Sequence, residues 1–427
     1  MSREILHVLC GSTAVGSLVY DRKGDRISLG YEEPWQYGAD GFPMSLSLPL
    51  ATQTYPDNRV RPFLQGLLPD NASVVKAWGK RFQISPGNPF DVLKHMGEDC
   101  AGALQFVRPE RLELILSGSL DSLTPLSDDD LAKRIDDLNQ QARSIPVRIE
   151  GRFSLAGAQT KDALHLKDGR WFVPGGRISS THILKPELDD YDHHSVNEHF
   201  CLQLAAKVGL IRAESHVLEI AGKRVLCVTR YDRMTDASGN VARWHQEDTC
   251  QALGRGPQQK YQSDGGPSAA EIVKLLDQYS DDRFDDISRF IMALALNWVI
   301  AGTDAHSKNY SLLHAPGSFT RLAPLYDMAS YLPYQRDLKS TKVKLAMKIG
   351  GSYRLHQIDG GRWRKWADEA GLPFDRVRSI ILTLIDNILQ HASGVGNEVA
   401  ITHASPFVPD LVTSIMTRAA ACSACMD

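Results

Sequence analysis

Long apolar runs are missing from this chain of 427 residues. The longest, Phe290 to Ile300, is interrupted by Asn297 and falls short of the ~18 residues that a membrane-spanning helix needs, so no membrane partner is expected. The opening MSREILHVLCGST has neither a long apolar core nor a small-residue cleavage site, and a cytoplasmic location is the expectation. Cysteine is scarce and unpatterned. The seven residues Cys10, Cys100, Cys201, Cys227, Cys250, Cys422 and Cys425 form an odd, scattered set that reads as reduced core thiols rather than a disulfide framework. The one close pair, Cys422 and Cys425, lacks the second pair or histidine cluster that a zinc site requires. Charge of one sign is also lacking: 48 basic against 51 acidic residues give a net charge of −3, which excludes chain-wide electrostatic capture of nucleic acid or anionic lipid. With 21 Pro and 33 Gly the composition is neither collagen-like nor disordered. Glycine is missing in one telling place, since no G-x-G-x-x-G phosphate loop occurs.

What is present divides into three stretches. The first 30 or so residues alternate as ILHVLC, VGSLVYD and RISLGYE around GSTA and DRKGD turns, the pattern of an antiparallel meander. RPFLQGLLPD, NASVVKAWGKRF and DVLKHMGEDCAGALQFV complete an N-terminal module, and the acidic stretch from Gly118 to Ser144, with a helix starting near Ser127, reads as a connector. RFSLAGAQTK, DALHLKDG, RWFVPGG, STHILKP and the hairpin VLEIAGKRVLCVTRYD, turning at Ala221-Gly222-Lys223, then predict five strands around one helix. Beyond about Gly265 the period is helical, with Ile287, Phe290, Ile291, Leu294 and Trp298 on one stripe. An α+β protein with segments 1–145, 146–256 and 257–427 is expected.

The chemistry concentrates in GTDAHSKNYSLLHAPGSFTRLAPLYD, residues 302–327, a polar loop that leaves a buried helix at Gly302, read as its C′ residue. Asp304 and Asn309 have the D-x-x-x-x-N spacing by which kinase loops place a base near a hydroxyl and an amide oxygen on Mg²⁺. Asp327, after the strand-like LAPLY, is a candidate second metal ligand facing Asn309 across a hairpin. So sparse an oxygen set suits a magnesium nucleotide rather than a caged ion; turn-capping and Asx roles are the plain alternative. Lys185, on a strand before Pro186, and Glu198, on the following helix, have the makings of a phosphate-positioning ion pair. Ser195 and Glu198 also match a capping box, and Lys185 alone reads equally as a solvated strand-end lysine. GRFSLAGAQTK, with only Gly151 and Gly157, is the best phosphate cradle, with Lys161 nearby and Ser154 as a hydroxyl able to accept phosphate; a surface hairpin is the other reading. VTRYDR lies where a hinge would hold adenine on its backbone and ribose on Asp232, or where a linker carries a surface Arg-Asp pair.

Taken together, RPFLQGLLPD, MGEDCAGALQF, FSLAGAQTK, THILKP, SVNEHFCLQLA, RYDR, QEDTCQALG, NWVIAGTDAHSKNYSLL and APLYDMASYLPY resemble the HipA family of toxin serine/threonine kinases from type II toxin–antitoxin modules, nearly end to end. The resemblance implies a two-lobed, atypical kinase-like fold with an extra N-terminal β module, ATP and Mg²⁺ as cofactors, Asp304 as base, and Asn309 and Asp327 on the metal. It implies nucleotide contacts from Ser154, Ala156, Gly157, Ala158, Gln159, Lys161, Lys185, Thr229, Arg230, Tyr231, Asp232, Gln246, His306 and Lys308. Thr229 departs from the acidic residue expected in the hinge, a contact made largely by backbone. Autophosphorylation at Ser154 as an inactivating event follows, as do a HipB-like helix-turn-helix antitoxin, operator DNA reached through that complex, and a translation protein such as an aminoacyl-tRNA synthetase as substrate. A catalytically silent co-repressor scaffold and a small-molecule kinase are the alternatives; the presence of Asp304, Asn309 and Asp327 favours activity. From Arg336 to Lys365, nine basic residues (Arg336, Lys339, Lys342, Lys344, Lys348, Arg354, Arg362, Arg364, Lys365) face only Asp337 and Asp359. That patch reads either as a surface for DNA phosphates or an acidic protein, or as a solvated face.

Overall fold

A computed structural model describes residues 3–142, 153–188, 191–236, 239–317, 319–334 and 343–426. The expected boundary near residue 145 lies outside them. The chain forms two compact units: the first comprises Met1–Pro186, Glu219–Pro257 and Leu312–Phe319, the second Glu187–Leu218, Gln258–Ser311 and Thr320–Asp427. The α+β class is as expected, with sheets concentrated toward the N-terminus and helices toward the C-terminus.

In the first unit the opening meander forms as read, from antiparallel strands Arg3–Cys10, Thr13–Asp21 and Arg26–Tyr31. Alternation turns Leu6, Val8, Val15, Leu18, Ile27 and Leu29 inward. Leu104–Val107 pairs with the first strand, Val8 opposite Phe106, and Phe63, Leu64, Phe90 and Leu93 fill the core beneath. A second sheet sets Lys223–Thr229, His182–Pro186, Asp162–Lys167, Arg170–Gly175 and Ser122–Pro125 side by side. The hairpin before Lys223 turns at Ala221 and Gly222, both with positive φ (50° and 74°), as a two-residue primed turn requires.

The acidic stretch is more than a connector. Ser122–Pro125 is an edge strand on Arg170–Gly175, Val173 opposite Thr124, and the Asp128–Ala142 helix docks through Arg134, whose Nε lies 2.6 Å from the Asp162 carboxylate. Ser127 caps this helix by accepting from Asp130 N–H at 3.1 Å, with Asp128, Asp129 and Asp130 at the positive end of its dipole. The strand escaped detection because it is short, mostly exposed and without alternation.

The second unit is built on the helices His194–Lys207, Ala269–Tyr279, Arg283–Val299, Gly360–Ala370, Phe374–His403 and Phe407–Ala424. The predicted stripe Ile287, Phe290, Ile291, Leu294 and Trp298 is buried, and Trp298 meets Trp363 edge-on at 5.6 Å. That helix ends at Val299, and Ala301, not Gly302, takes the left-handed conformation (φ 53°). Gly302 is required for another reason: a Cβ there would lie 2.1 Å from Asn297 Oδ1. None of the seven cysteines forms a disulfide, and burial pushes the Cys100, Cys227 and Cys422 thiols up to about 12, the behaviour of inert core thiols. Among the described residues no helix is long and apolar enough to cross a membrane.

One joint of the first unit is sensitive to pH. His245 is buried, its Nε2 lies 2.9 Å from the Met44 carbonyl, and its ring stacks on Phe42 at 5.2 Å and lies 5.7 Å from His314. Burial, and then the nearby His314, lower its pKa to about 3. The unfolded chain, with an ordinary histidine near 6.5, therefore takes up the proton first as pH falls. Stability should drop by about 1.4 kcal/mol per pH unit from this group between about pH 6 and pH 4, above the range in which Asp99 and Asp232 titrate. Urea midpoints measured from pH 7 to pH 4.5 should show this slope, reduced by about one proton in His245→Asn; equal slopes in both proteins would refute the assignment.

Candidate functional site

The phosphate-loop residues lie in the first unit, and little of the segment is strand. Phe153 and Ser154 pair in parallel with Asp99 and Cys100 of the N-terminal module, after which the chain becomes a loop fixed mainly by backbone contacts. The surface-hairpin reading is thereby overturned: Ser154 is fully buried and donates to the Leu67 carbonyl at 3.0 Å. Asp70 N–H donates to the Gly157 carbonyl at 3.0 Å, and Asn71 Nδ2 to that of Ala158 at 3.1 Å. Gly157 has φ 114°, a conformation open to glycine and costly for other residues. Lys161 folds back so that its Nζ donates to the Ala156 carbonyl at 2.7 Å, and Gln159 Nε2 donates to the Pro186 carbonyl at 2.8 Å. That last bond ties the loop to the end of the strand carrying Lys185, which is 5% exposed and sits opposite Leu226 in an interior strand. A solvated strand-end lysine is excluded.

The hinge segment Thr229–Asp232 rests on a buried charge cluster, not a surface pair. Asp232 Oδ2 accepts from Gly102 N–H at 2.7 Å, Arg230 Nη2 at 2.8 Å and Gln246 Nε2 at 3.0 Å, while Oδ1 accepts from Arg230 Nε at 3.0 Å. The direct ribose contact expected of Asp232 thus gives way to a supporting role, because both of its oxygens are spent inside. Gln246 and Tyr231 lie above it, joined by a hydrogen bond from the Tyr231 hydroxyl to Gln246 Oε1. Beside them, Asp99 Oδ1 lies 3.4 Å from Arg230, 3.0 Å from Arg233 and 3.1 Å from Arg243, and its Oδ2 accepts from Ser180 N–H and Oγ at 2.9 and 2.6 Å. Burial alone would raise both carboxyls, but the arginines outweigh it and hold Asp99 and Asp232 well below the usual carboxylate range. Desolvation, followed by repulsion from Arg230, lowers Arg233 to about 10.

The base and metal candidates lie in the second unit. Asp304 is exposed, and its carbonyl accepts from His306 N–H at 2.7 Å and from Asn309 Nδ2 at 2.9 Å. With the amide nitrogen spent there, Asn309 Oδ1 is the atom left to meet a cation, which fits the magnesium role. His306, Lys308 and Asn309 are buried around the tight turn Ser307–Asn309. LAPLY is not the predicted strand, since the strand ends at Leu322 and only Leu325 makes a bridge, with Leu325 N–H donating to Ile211 and Ala213 N–H to Leu325 at 2.9 and 2.8 Å. Asp327 follows with φ 54°, a left-handed conformation in which aspartate is enriched. Tyr326 joins it to the loop, its hydroxyl donating to the Lys308 carbonyl at 2.7 Å and lying 2.6 Å from Ser311 Oγ.

The predicted capping box at Ser195 and Glu198 does not form. The helix begins at His194, so Ser195 is already inside it, and Glu187 takes the capping place by accepting from His194 N–H at 2.9 Å and Ser195 N–H at 3.2 Å. Glu198 is buried, with His194 Nε2 at 4.0 Å.

Comparison with known proteins decides the family. Residues 153–392, more than half of the chain, match the model of the HipA-like C-terminal domain, and residues 6–107 that of the HipA N-terminal domain. The chain belongs to the HipA family. It is 37% identical to "Putative kinase Y4mE" of Sinorhizobium fredii over 398 residues, 92% of each chain. To the serine/threonine-protein kinase toxin HipA of Shewanella oneidensis it is 28% identical over 386 residues, 86% of this chain and 84% of that one. The structure superposes on the solved Shewanella oneidensis MR-1 complex of HipA, HipB and operator DNA with a TM-score of 0.83 at 26% identity, covering 99% and 98% of the two chains.

Sequence reasoning missed several residues that hold this HipA-family site. Asn197 donates to the Ser330 carbonyl at 2.7 Å and accepts from Ser330 N–H at 2.9 Å, fixing the chain just past Asp327; a polar residue between the apolar Val196 and Phe200 was the available signal. Tyr326 and Asp99 carried none. In the basic stretch, Arg336, Lys339 and Lys342 lie outside the described residues. Arg362 donates to the Gly350 carbonyl at 2.8 Å, Arg364 stacks 4.0 Å over Phe374, and Lys348 lies 5.1 Å from the Tyr353 ring, while Lys344, Arg354 and Lys365 are exposed. Removing one partner of a buried ion cluster leaves uncompensated charge, so Asp99→Ala should cost about 3–5 kcal/mol in urea unfolding, whereas Asp121→Ala, on the exposed pair with Arg177, should cost under ~1 kcal/mol. Similar losses for the two would deny the cluster its structural role.

Proposed function

We propose that this HipA-family chain is a Mg²⁺- and ATP-dependent serine/threonine kinase that transfers the γ-phosphate to a hydroxyl on a protein of the translation apparatus, an aminoacyl-tRNA synthetase being the leading class. The observation that carries the reading is the loop in which the Asp304 carbonyl anchors the Asn309 amide, so that an exposed carboxylate and a metal-facing oxygen are held as one piece. Asp304 accepts the proton of the substrate hydroxyl as its oxygen attacks the γ-phosphorus, the bond to the bridging oxygen breaks, and ADP departs. Mg²⁺, held by Asn309 and Asp327, supplies neutralisation of the phosphate charge when bound.

Lys185 and the Ser154–Lys161 loop, including the Ala156, Gly157, Ala158 and Gln159 backbone, serve the phosphates. Thr229, Arg230 and Tyr231 present the adenine-binding backbone, Asp232 and Gln246 brace it, and His306 and Lys308 complete the nucleotide set. Ser154 is the autophosphorylation site. A phosphoryl group of about −1.5 to −2 charges has no place in the buried seat against the Leu67 carbonyl, so the modified loop leaves it and the enzyme switches off. A HipB-like helix-turn-helix antitoxin neutralises the kinase and carries it to operator DNA, in keeping with the assembly named for the Shewanella structure.

Dephosphorylated protein given γ-labelled ATP and Mg²⁺ should label itself on Ser154, and the label should vanish in Asp304→Ala and with excess EDTA. An unlabelled wild type would overturn the kinase reading in favour of a co-repressor scaffold.

A further inference from the structure

The segment between Gln258 and Gly266 lies within the second unit as a strap across the candidate catalytic loop. The Lys260 carbonyl accepts from both Ser307 N–H at 3.3 Å and Ser307 Oγ at 2.7 Å. Gln262 Oε1 accepts from Lys348 N–H at 2.7 Å, which anchors the far side of the strap on the strand Lys344–Ile349. The strap closes on itself where Gly266 N–H donates to the Tyr261 carbonyl at 3.0 Å. No other residue fits at Gly266, since a Cβ would lie 2.0 Å from the Gln259 carbonyl oxygen. Between these anchors stands Tyr261, its ring edge-on to His306 at 5.1 Å and 86°, its hydroxyl donating to Asp304 Oδ1 at 2.5 Å.

The consequence is specific to the carboxylate. An exposed aspartate samples several rotamers, and its two oxygens are equivalent until something distinguishes them. A hydrogen bond from a phenol held on a braced strap fixes the rotamer and occupies one oxygen, leaving Oδ2 to receive the hydroxyl proton.

We propose that Tyr261 is a positioning residue for phosphoryl transfer, holding the Asp304 carboxylate by Oδ1 so that Oδ2 alone faces the substrate hydroxyl. This rests on the kinase reading above. The proton moves from substrate oxygen to Asp304 Oδ2, and Tyr261 keeps its own proton throughout.

A split between the rate of phosphoryl transfer and nucleotide affinity in Tyr261→Phe distinguishes positioning from packing. Orientation of a general base is worth roughly ten- to a hundredfold in rate, so the single-turnover rate of Ser154 labelling should fall by at least about tenfold, with Mg-ADP affinity within about twofold of wild type. Ser307→Ala, which frees the strap at Lys260 but keeps the phenol, should show a smaller fall in the same rate at unchanged Mg-ADP affinity and serves if Tyr261→Phe folds poorly. Wild type that labels Ser154, together with variants matching it in rate, would overturn the positioning role and leave the kinase reading intact; wild type that does not label at all would remove both.

Discussion

The buried ion cluster around Asp99 and Asp232 is the constraint on which the first unit depends. Asp99 is contributed by the N-terminal module, and Arg230, Asp232 and Arg233 by the hinge segment, so this one cluster fixes two stretches that lie 131 to 134 residues apart in sequence. Charges taken out of water are costly unless every lone pair and proton finds a partner. Here the carboxylates are met by three guanidinium groups, Ser180 and the Gly102 amide, and Arg230 and Arg233 spend further donors on the Cys100 carbonyl at 2.8 and 3.0 Å. Any change in the position of the module is therefore felt at the Thr229–Asp232 backbone.

The same economy governs the phosphate loop. A glycine-rich loop cradles phosphate with its own successive amides, but this loop has one obligatory glycine, Gly157, and takes its shape from outside. The Leu67 carbonyl, the Asp70 amide and the Asn71 side chain define it from the module, while Lys161 and Gln159 define it from within the unit. Among the described residues, its strand pairing is limited to the two-residue ladder at Phe153 and Ser154 and a bridge from Gly157 to Pro69, so neighbouring segments set the loop's shape. The burial of Ser154 and its bond to the Leu67 carbonyl belong to the same arrangement.

In the second unit, hydroxyl groups do the corresponding work. Tyr326, Ser307 and Tyr261 each bridge a backbone carbonyl or carboxylate across the candidate catalytic loop, and the Asn197–Ser330 pair holds the chain beyond Asp327. Each bond is individually modest, about 1 kcal/mol net, but together they fix the loop against buried elements while leaving the Asp304 side chain exposed.

Much of this was legible in the sequence. The meander, the 221–222 hairpin, the stripe on the Arg283–Val299 helix and the Asp304-to-Asn309 spacing are local, and local periodicity and spacing survive folding unchanged. The family resemblance likewise rests on short ordered blocks. What failed was local chemistry overruled from a distance: Ser195 lost its cap role to Glu187, Gly302 answers to Asn297 rather than to the helix end, LAPLY is held by a single bridge, and Asp232 was drawn inward by arginines and by Gly102. The sequence by itself determined which residues could do chemistry, because side-chain type and spacing carry that information. Only the tertiary structure decided which of them face solvent and which are spent on holding others, because burial and hydrogen-bond partnership come from segments far apart in the chain.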